Sequence, residues 1–388
     1  MHLAMKKIVV ASDSFKGCLS SMQVADAVER AVLQACPVCD VIKIDVADGG
    51  EGTMDALQCT LGGKKVCIEV SDPLGRPVHA SYVILEDGTT AVVEMAVASG
   101  LPLLSPEERN PLETSTYGTG QLIADALNKG CRKFLMGIGG SATNDAGMGM
   151  LQALGYRFTD AQGNVLCGCG ESLEKVASID ASSASPALKE SEFIVACDVD
   201  APLYGPKGAA YVFAPQKGAD TETVERLDNG LKHFSEVVAK SKGAIEDYAQ
   251  TPGAGAAGGL GFGLMTFLNA RLVSGINMVL DAIGFDSIIK DADLIITGEG
   301  KIDSQTLAGK TPYGVLQRAK LQGIPVVAIG GSVQLDSEDA TRVGFAAVLQ
   351  VTPPGMPLHD AMNPETASEN ICRTVLRLMQ SAYPVRDI

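Results

Sequence analysis

KIVVASDSFKGCLSSMQVADAVERAVLQACPVCDVIKIDVADGGEGT, Lys7 to Thr53, passes twice from a short apolar run through a polar turn to a helix start. Lys7–Ala11 is rich in β-branched residues and reads as a strand. Ser20 stands where a helix cap belongs, and the residues after it place apolar side chains at helical spacing. DVIKIDVA, Asp40–Ala47, reads as the next strand. A helix in EGTMDALQCTLGG, stopped by paired glycines, and a third strand in KKVCIEV, Lys64–Val70, complete a strand–helix–strand–helix–strand run. Such a run predicts a parallel sheet with right-handed crossovers.

The same rhythm returns near the C-terminus: DLIIT, a helix after Pro312, IPVVAIGG, FAAVLQV, and a last helix over about Pro364–Met379. The middle has another texture. SDPLGRPVHASYVILEDGTTAVVEMA, from Ser71, is punctuated by Asp-Pro, Arg-Pro and Asp-Gly and reads as two strands joined by a hairpin turn. Neither flank alone has enough strands for a comfortable sheet. The expected fold is therefore α/β with two α/β domains. Residues 1–70 and 291–388 form a discontinuous Rossmann-like parallel-sheet domain, residues 71–290 form an inserted α/β domain carrying glycine-rich loops, and the site lies in the cleft between them.

Composition narrows the function. The 388 residues are 46% hydrophobic and 20% charged, a globular balance, and length alone predicts about two to three domains. A net charge of −15 repels nucleic acid and anionic membranes, so neither is an expected partner. No run of roughly 18 uncharged apolar residues and no signal-peptide pattern occurs, which points to a cytoplasmic protein. Ten cysteines invite a metal or disulfide reading. Their spacing opposes it: Cys36 and Cys39 close a helix, whereas a reactive CxxC needs a helix N-terminus to lower its pKa.

Five glycine- and acid-rich stretches fall at predicted strand ends, where open parallel sheets bind ligands. ASDSFKG brings Asp13 and Lys16 to the rim of the first strand, and ADGGEGT brings Asp48 and Glu51 to the second, suitably placed to hold Mg²⁺. GIGGSATNDAGMGM, Gly137–Met150, occupies a strand-to-helix turn whose backbone N–H groups can bind phosphate. Gly137, Gly139 and Ala142, with Asp160 about 20 residues on, also satisfy a dinucleotide fingerprint. Ser141, Asn144 and Asp145 suit a triphosphate with its metal better. Asp198 emerges after FIVAC, followed by Lys207 and Lys217 in glycine turns, a pairing of carboxylate and ammonium that suits a base with a clamp. TGEGKIDSQTLAGKTPYG offers Glu299, Lys301, Asp303 and Lys310. Its AGKT mimics a P-loop, but Ser304 stands where the pattern requires glycine.

DSFKG, ADGGEGT, GIGGSATNDAG, ACDV with APQKGA, PGAGAAGGLG and GEGKIDSQTLAGKTP, in this order from Lys6 almost to the end, resemble the motif set of the type I glycerate kinase family. Cys18 and Ala146 are mild departures that remove no charged group. The resemblance implies ATP-dependent phosphorylation of D-glycerate at its 2-hydroxyl to 2-phospho-D-glycerate, with Mg²⁺. For such a reaction Gly137, Gly139, Gly140, Ser141, Asn144 and Asp145 are the expected phosphate-binding residues, and Asp48, joined by Glu51 or Asp198, the expected hold on Mg²⁺. Lys16 and Lys310 neutralise the γ-phosphate or grip the glycerate carboxylate. Arg271 is a reserve anion clamp, and Glu299 and Asp303 line the substrate. Asp198 is the first candidate for the base and Asp13 the second. The enzyme is expected as a monomer or homodimer. An NAD-dependent oxidoreductase of a small hydroxy acid and a non-catalytic metabolite-binding protein are the alternatives.

Overall fold

A computed structural model describes residues 6–50, 52–242 and 248–382. In chain order the strands are β1 (Lys7–Ser12), β2 (Asp40–Asp45), β3 (Lys64–Ser71), β4 (Pro77–Ile84), β5 (Thr90–Glu94), β6 (Lys133–Gly137), β7 (Arg157–Thr159), β8 (Ser178–Asp180), β9 (Glu192–Ala196), β10 (Arg271–Val273), β11 (Leu294–Ile302), β12 (Val326–Val333) and β13 (Ala347–Gln350). The chain divides into two compact units. A split unit joins the residues up to Asp48 with those from Val279 onward, and a continuous unit comprises Gly49–Met278.

The split unit is built on a five-stranded parallel sheet of order β13-β12-β11-β1-β2. Ile8, Val10, Leu294, Ile296, Val327 and Ile329 alternate along their strands and so share one face. That face is covered by Val24, Val28 and Val32 of the helix Ser21–Ala35 and by Ile371 and Val375 of the helix Pro364–Ala382. Ser20 caps the first helix as expected, accepting from the Gln23 amide while the Gln23 side chain accepts from the Ser20 amide.

The continuous unit carries a six-stranded sheet of order β10-β9-β6-β5-β4-β3. Strands β5, β6, β9 and β10 are parallel to one another, and β3 and β4 are antiparallel. Phe134 and Phe193, opposite each other on β6 and β9, stack with centroids 4.6 Å apart.

Four expectations are corrected. KKVCIEV is not a third parallel strand of the split unit: as β3 it pairs along its whole length with β4, from Lys64↔Ile84 to Ser71↔Pro77. The reason is the intervening turn, where the Asp72 carboxylate accepts from the amides of Leu74 and Arg76 and pairs with the Arg76 guanidinium at 2.6 Å. The unit boundaries accordingly fall at 48/49 and 278/279 rather than at 70/71 and 290/291. Glu299 and Lys301, expected in a loop after DLIIT, lie on β11 itself, opposite Gly330 and Ser332. The dinucleotide reading also fails: the helix after Gly137, Met148–Ala153, leads only to β7, which pairs antiparallel with β8, and Asp160 closes an exposed turn with Gln162 and Asn164.

Among the described residues no helix is long and apolar enough to cross a membrane, and all ten cysteines are free thiols. Because β6 and β9 lead directly into the loops at Gly139 and Asp198, their core sets those loops. Phe193→Ala should destabilise the continuous unit by about 3–5 kcal/mol, the usual cost of emptying an aromatic site, read as an earlier midpoint in urea denaturation.

Candidate active site

The carboxyl ends of β1, β11, β12 and β13 open into a pocket of about 530 Å³ in the split unit. Asp13 follows β1 directly, and its amide donates to the Gly298 carbonyl of β11 at 2.9 Å. The residue is 7% exposed. One carboxylate oxygen accepts from the Ser14 amide at 2.6 Å; the other accepts nothing from the described residues. Burial, then the neighbouring charge of Asp48, pushes the Asp13 carboxyl up to about 6. The Lys16 ammonium lies 3.7 Å from the Asp48 carboxylate.

Across the pocket, Glu299 accepts from the Thr306 hydroxyl at 2.5 Å and faces the Lys310 ammonium at 3.7 Å. Burial raises the pKa of Glu299 as well. Lys301 and Asp303 pair at 2.9 Å, and that hydrogen bond lowers the Asp303 pKa. Lys310 is the residue just before the proline-started helix Thr311–Leu321. Asp13, Lys16, Asp48, Glu299, Asp303 and Lys310, drawn from three separate stretches of sequence, therefore share one pocket. Glu51 lies outside the described residues. The sequence reading missed Thr306, whose hydroxyl fixes Glu299, and the far wall formed by residues 350–370.

In the continuous unit, Gly137 ends β6 and its carbonyl accepts from Met95. Gly139 and Gly140 are exposed, and Gly140 has φ +73°. No acceptor among the described residues meets the amides of Gly139, Gly140 or Ser141. Successive free amides around a left-handed residue form a concave anion-binding nest. The polar side chains that follow do not join it. Asp145 is fully buried and accepts from the amides of Thr116, Gly147 and Gly149 and from the Thr116 hydroxyl. Burial raises its pKa against those donors. Its work is to tie the loop down, so its expected contact with phosphate is not made in this arrangement. Asn144 is also fully buried, and neither end of its amide has a partner among the described residues.

Ser141 is held from beneath. The Lys217 ammonium, 2% exposed, donates to the Ser141 hydroxyl and the Thr143 carbonyl, both at 2.7 Å. The expected pairing of Lys217 with Asp198 is thus replaced by a loop anchor, and desolvation pulls this lysine down to about 7. Asp198 does emerge after β9, exposed, where it accepts from the Gly275 amide at the start of the helix Gly275–Ala282. Arg271 is misplaced by the sequence reading. It begins β10 and pairs with Glu192, which begins β9, so both sit at the amino ends of strands whose carboxyl ends carry the loops.

The model of the glycerate kinase family matches residues 8–382. A glycerate kinase of Bacillus subtilis (strain 168) is 48% identical over 368 residues, 95% of each chain. A glycerate 2-kinase of Escherichia coli (strain K12) is 46% identical over 367 residues, again 95% of each chain. A crystal structure from Salmonella typhimurium LT2, assigned as a glycerate kinase 2, superimposes with a TM-score of 0.87 at 44% identity, covering 97% of this chain and 98% of that one.

The Lys217 anchor has a pH signature. Its pKa falls from 10.5 unfolded to about 7 folded, so between those values the unfolded chain binds the extra proton and stability rises with pH. The contribution is complete above the unfolded value and lost as pH falls through the folded one. Denaturation at a series of pH values should show this slope in the wild type and its loss in Lys217→Met.

Proposed function

The chain belongs to the glycerate kinase family, and from that membership we propose that it transfers the γ-phosphoryl group of ATP to the 2-hydroxyl of D-glycerate, giving 2-phospho-D-glycerate. The observation that carries the reading is the pocket of the split unit, where a buried carboxylate with one open oxygen stands among lysines at the carboxyl ends of parallel strands. Phosphoryl transfer asks for alignment and charge neutralisation rather than covalent help. The pocket sets Lys16, Lys301 and Lys310 among Asp13, Asp48, Glu299 and Asp303, so ammonium groups stand at hand for two anionic reactants while the carboxylates leave a place for a cation.

Asp13 is the proposed base for the hydroxyl proton. A carboxyl near 6 is ionised at neutral pH yet a better proton acceptor than an ordinary aspartate. Its burial and open oxygen support this order over Asp198, whose carboxylate is exposed and caps a helix start. Lys16 and Lys310 neutralise the transferred group, and Glu299, braced by Thr306, orients Lys310. The free amides of Gly139, Gly140 and Ser141 are a proposed anion-binding nest of the continuous unit, suited to phosphate oxygens, with Lys217 keeping Ser141 in place.

Among the described residues no three potential metal-binding groups gather into a cage. Mg²⁺ asks for less: one or two carboxylates, with phosphate oxygens and water completing its octahedron. Asp48, on the pocket wall, fits that demand. Mg²⁺ bound there would shield phosphate charge. The enzyme is proposed to act in the cytoplasm as a monomer or homodimer.

Incubation with Mg-ATP and D-glycerate, followed by phosphorus NMR, should give the 2-phosphate; the 3-phosphate would overturn the position, and tight binding of both substrates without turnover would overturn the activity. Asp13→Asn should lower kcat by about 10²- to 10⁴-fold, the usual worth of a general base, with little change in KM for ATP. As Asp13 acts ionised, kcat/KM of the wild type should fall as pH drops through about 6. Wild-type turnover in the variant would remove Asp13 from the role.

A further inference from the structure

The pocket of the split unit has two unlike walls. One is charged, as described above. The other, which closes the far side after β13, is lined by Val351, Met356, Leu358 and Met362, with the amide of Asn370 among them. A three-carbon acid offers no apolar surface to cover four such side chains, and a triphosphate offers none. The apolar wall is therefore unexplained by either the acceptor or the transferred group.

Leu358 is 74% exposed and Met362 39%, so the rim presents large apolar side chains to solvent beside a deep pocket. Methionine and leucine at such a rim suit a flat ring, and Met356 and Met362 have the unbranched, adaptable thioether that fits around one. Asn370 is only 4% exposed, yet its amide nitrogen has just one acceptor, the Met356 sulfur at 3.5 Å, and its oxygen accepts from none of the described residues. A thioether is a weak acceptor, and a buried amide left so poorly matched carries a cost that a better partner removes.

A purine supplies both missing features. An Asn amide pairs in bidentate fashion with adenine, accepting from the 6-amino group and donating to a ring nitrogen. We infer that this wall is the adenine subsite: the base packs against Met356, Leu358 and Met362, and Asn370 reads its amino edge. The inference rests on the kinase reading, since it places the base of the phosphoryl donor in the pocket that holds Asp13.

The test uses the full chain and adenosine, which has no phosphate to be captured elsewhere. Saturation-transfer NMR should show wild-type protein contacting the adenine protons, and the contact should vanish in Leu358→Asp/Met362→Ala, whose changed side chains are exposed. In the same variant KM for ATP should rise at least about tenfold, the loss expected when one apolar side chain no longer covers its ligand, while KM for D-glycerate stays within about twofold of wild type. Asn370→Leu should narrow the preference for ATP over inosine triphosphate, which lacks the amino group. A rise in KM for D-glycerate with that for ATP unchanged would overturn the subsite and give the wall to the acceptor. Wild-type turnover without adenosine contact would overturn it too. Adenosine contact that depends on Leu358 and Met362, in a protein that fails to phosphorylate glycerate, would uphold the subsite and sink the kinase reading instead.

Discussion

The hydrogen bond from the Asp13 amide to the Gly298 carbonyl, 2.9 Å long, fastens the first turn of the chain to a strand that begins at Leu294. It continues the parallel pairing of Ile8, Val9 and Val10 with Leu294, Ile295 and Ile296. Without this register Asp13 and Glu299 would not share a pocket, because Asp13 comes from one end of the sequence and Glu299 from the other. The two helices over this sheet depend on the same pairing, since the face they cover is assembled from β1, β11 and β12 together. Burial of Asp13 follows in turn, and with burial its weakened acidity.

Each unit also carries a titratable group at odds with its surroundings. Asp13 is a carboxylate that burial makes reluctant to ionise, and Lys217 is an ammonium that burial makes reluctant to stay protonated. Such groups are costly to fold around, and they cluster where function needs them. The two differ in exposure to chemistry. Asp13 faces a pocket with an oxygen open, whereas both acceptors of Lys217 belong to the protein. The first is left open to a ligand, and the second is spent on holding the loop.

The sequence made the parallel architecture readable because strand and helix periodicities alternate cleanly across Lys7–Ala47 and again after Asp293. It did not reveal the sheet to which KKVCIEV belongs, because an apolar run has no direction of its own. The turn residues decide that, and Asp72-Pro-Leu-Gly was legible as a tight turn had it been weighed above the rhythm. That Asp13, Lys16, Asp48, Glu299 and Lys310 would come together was readable from their places at or near the ends of predicted parallel strands. It was unreadable for Asn144 and Asp145: polar residues in a glycine loop look alike whether they face a ligand or turn inward to tie the loop. Arg271 was the opposite case. Its place at the start of a strand rather than the end was available from the pattern RLVSG and should have counted against it.

The split unit has a further consequence at the ribosome. β1 and β2 emerge early, but the central partner strand β11 is not made until the continuous unit has been translated. At ordinary synthesis rates that interval lasts roughly 15–60 seconds. During it the nascent chain holds Ile8, Val9 and Val10 on a strand with its principal edge unpaired, a template for wrong association. The continuous unit has all its strands in hand by then and can complete its sheet first. An arrangement that brings distant residues to one pocket thus leaves the N-terminal segment waiting for its partner strand.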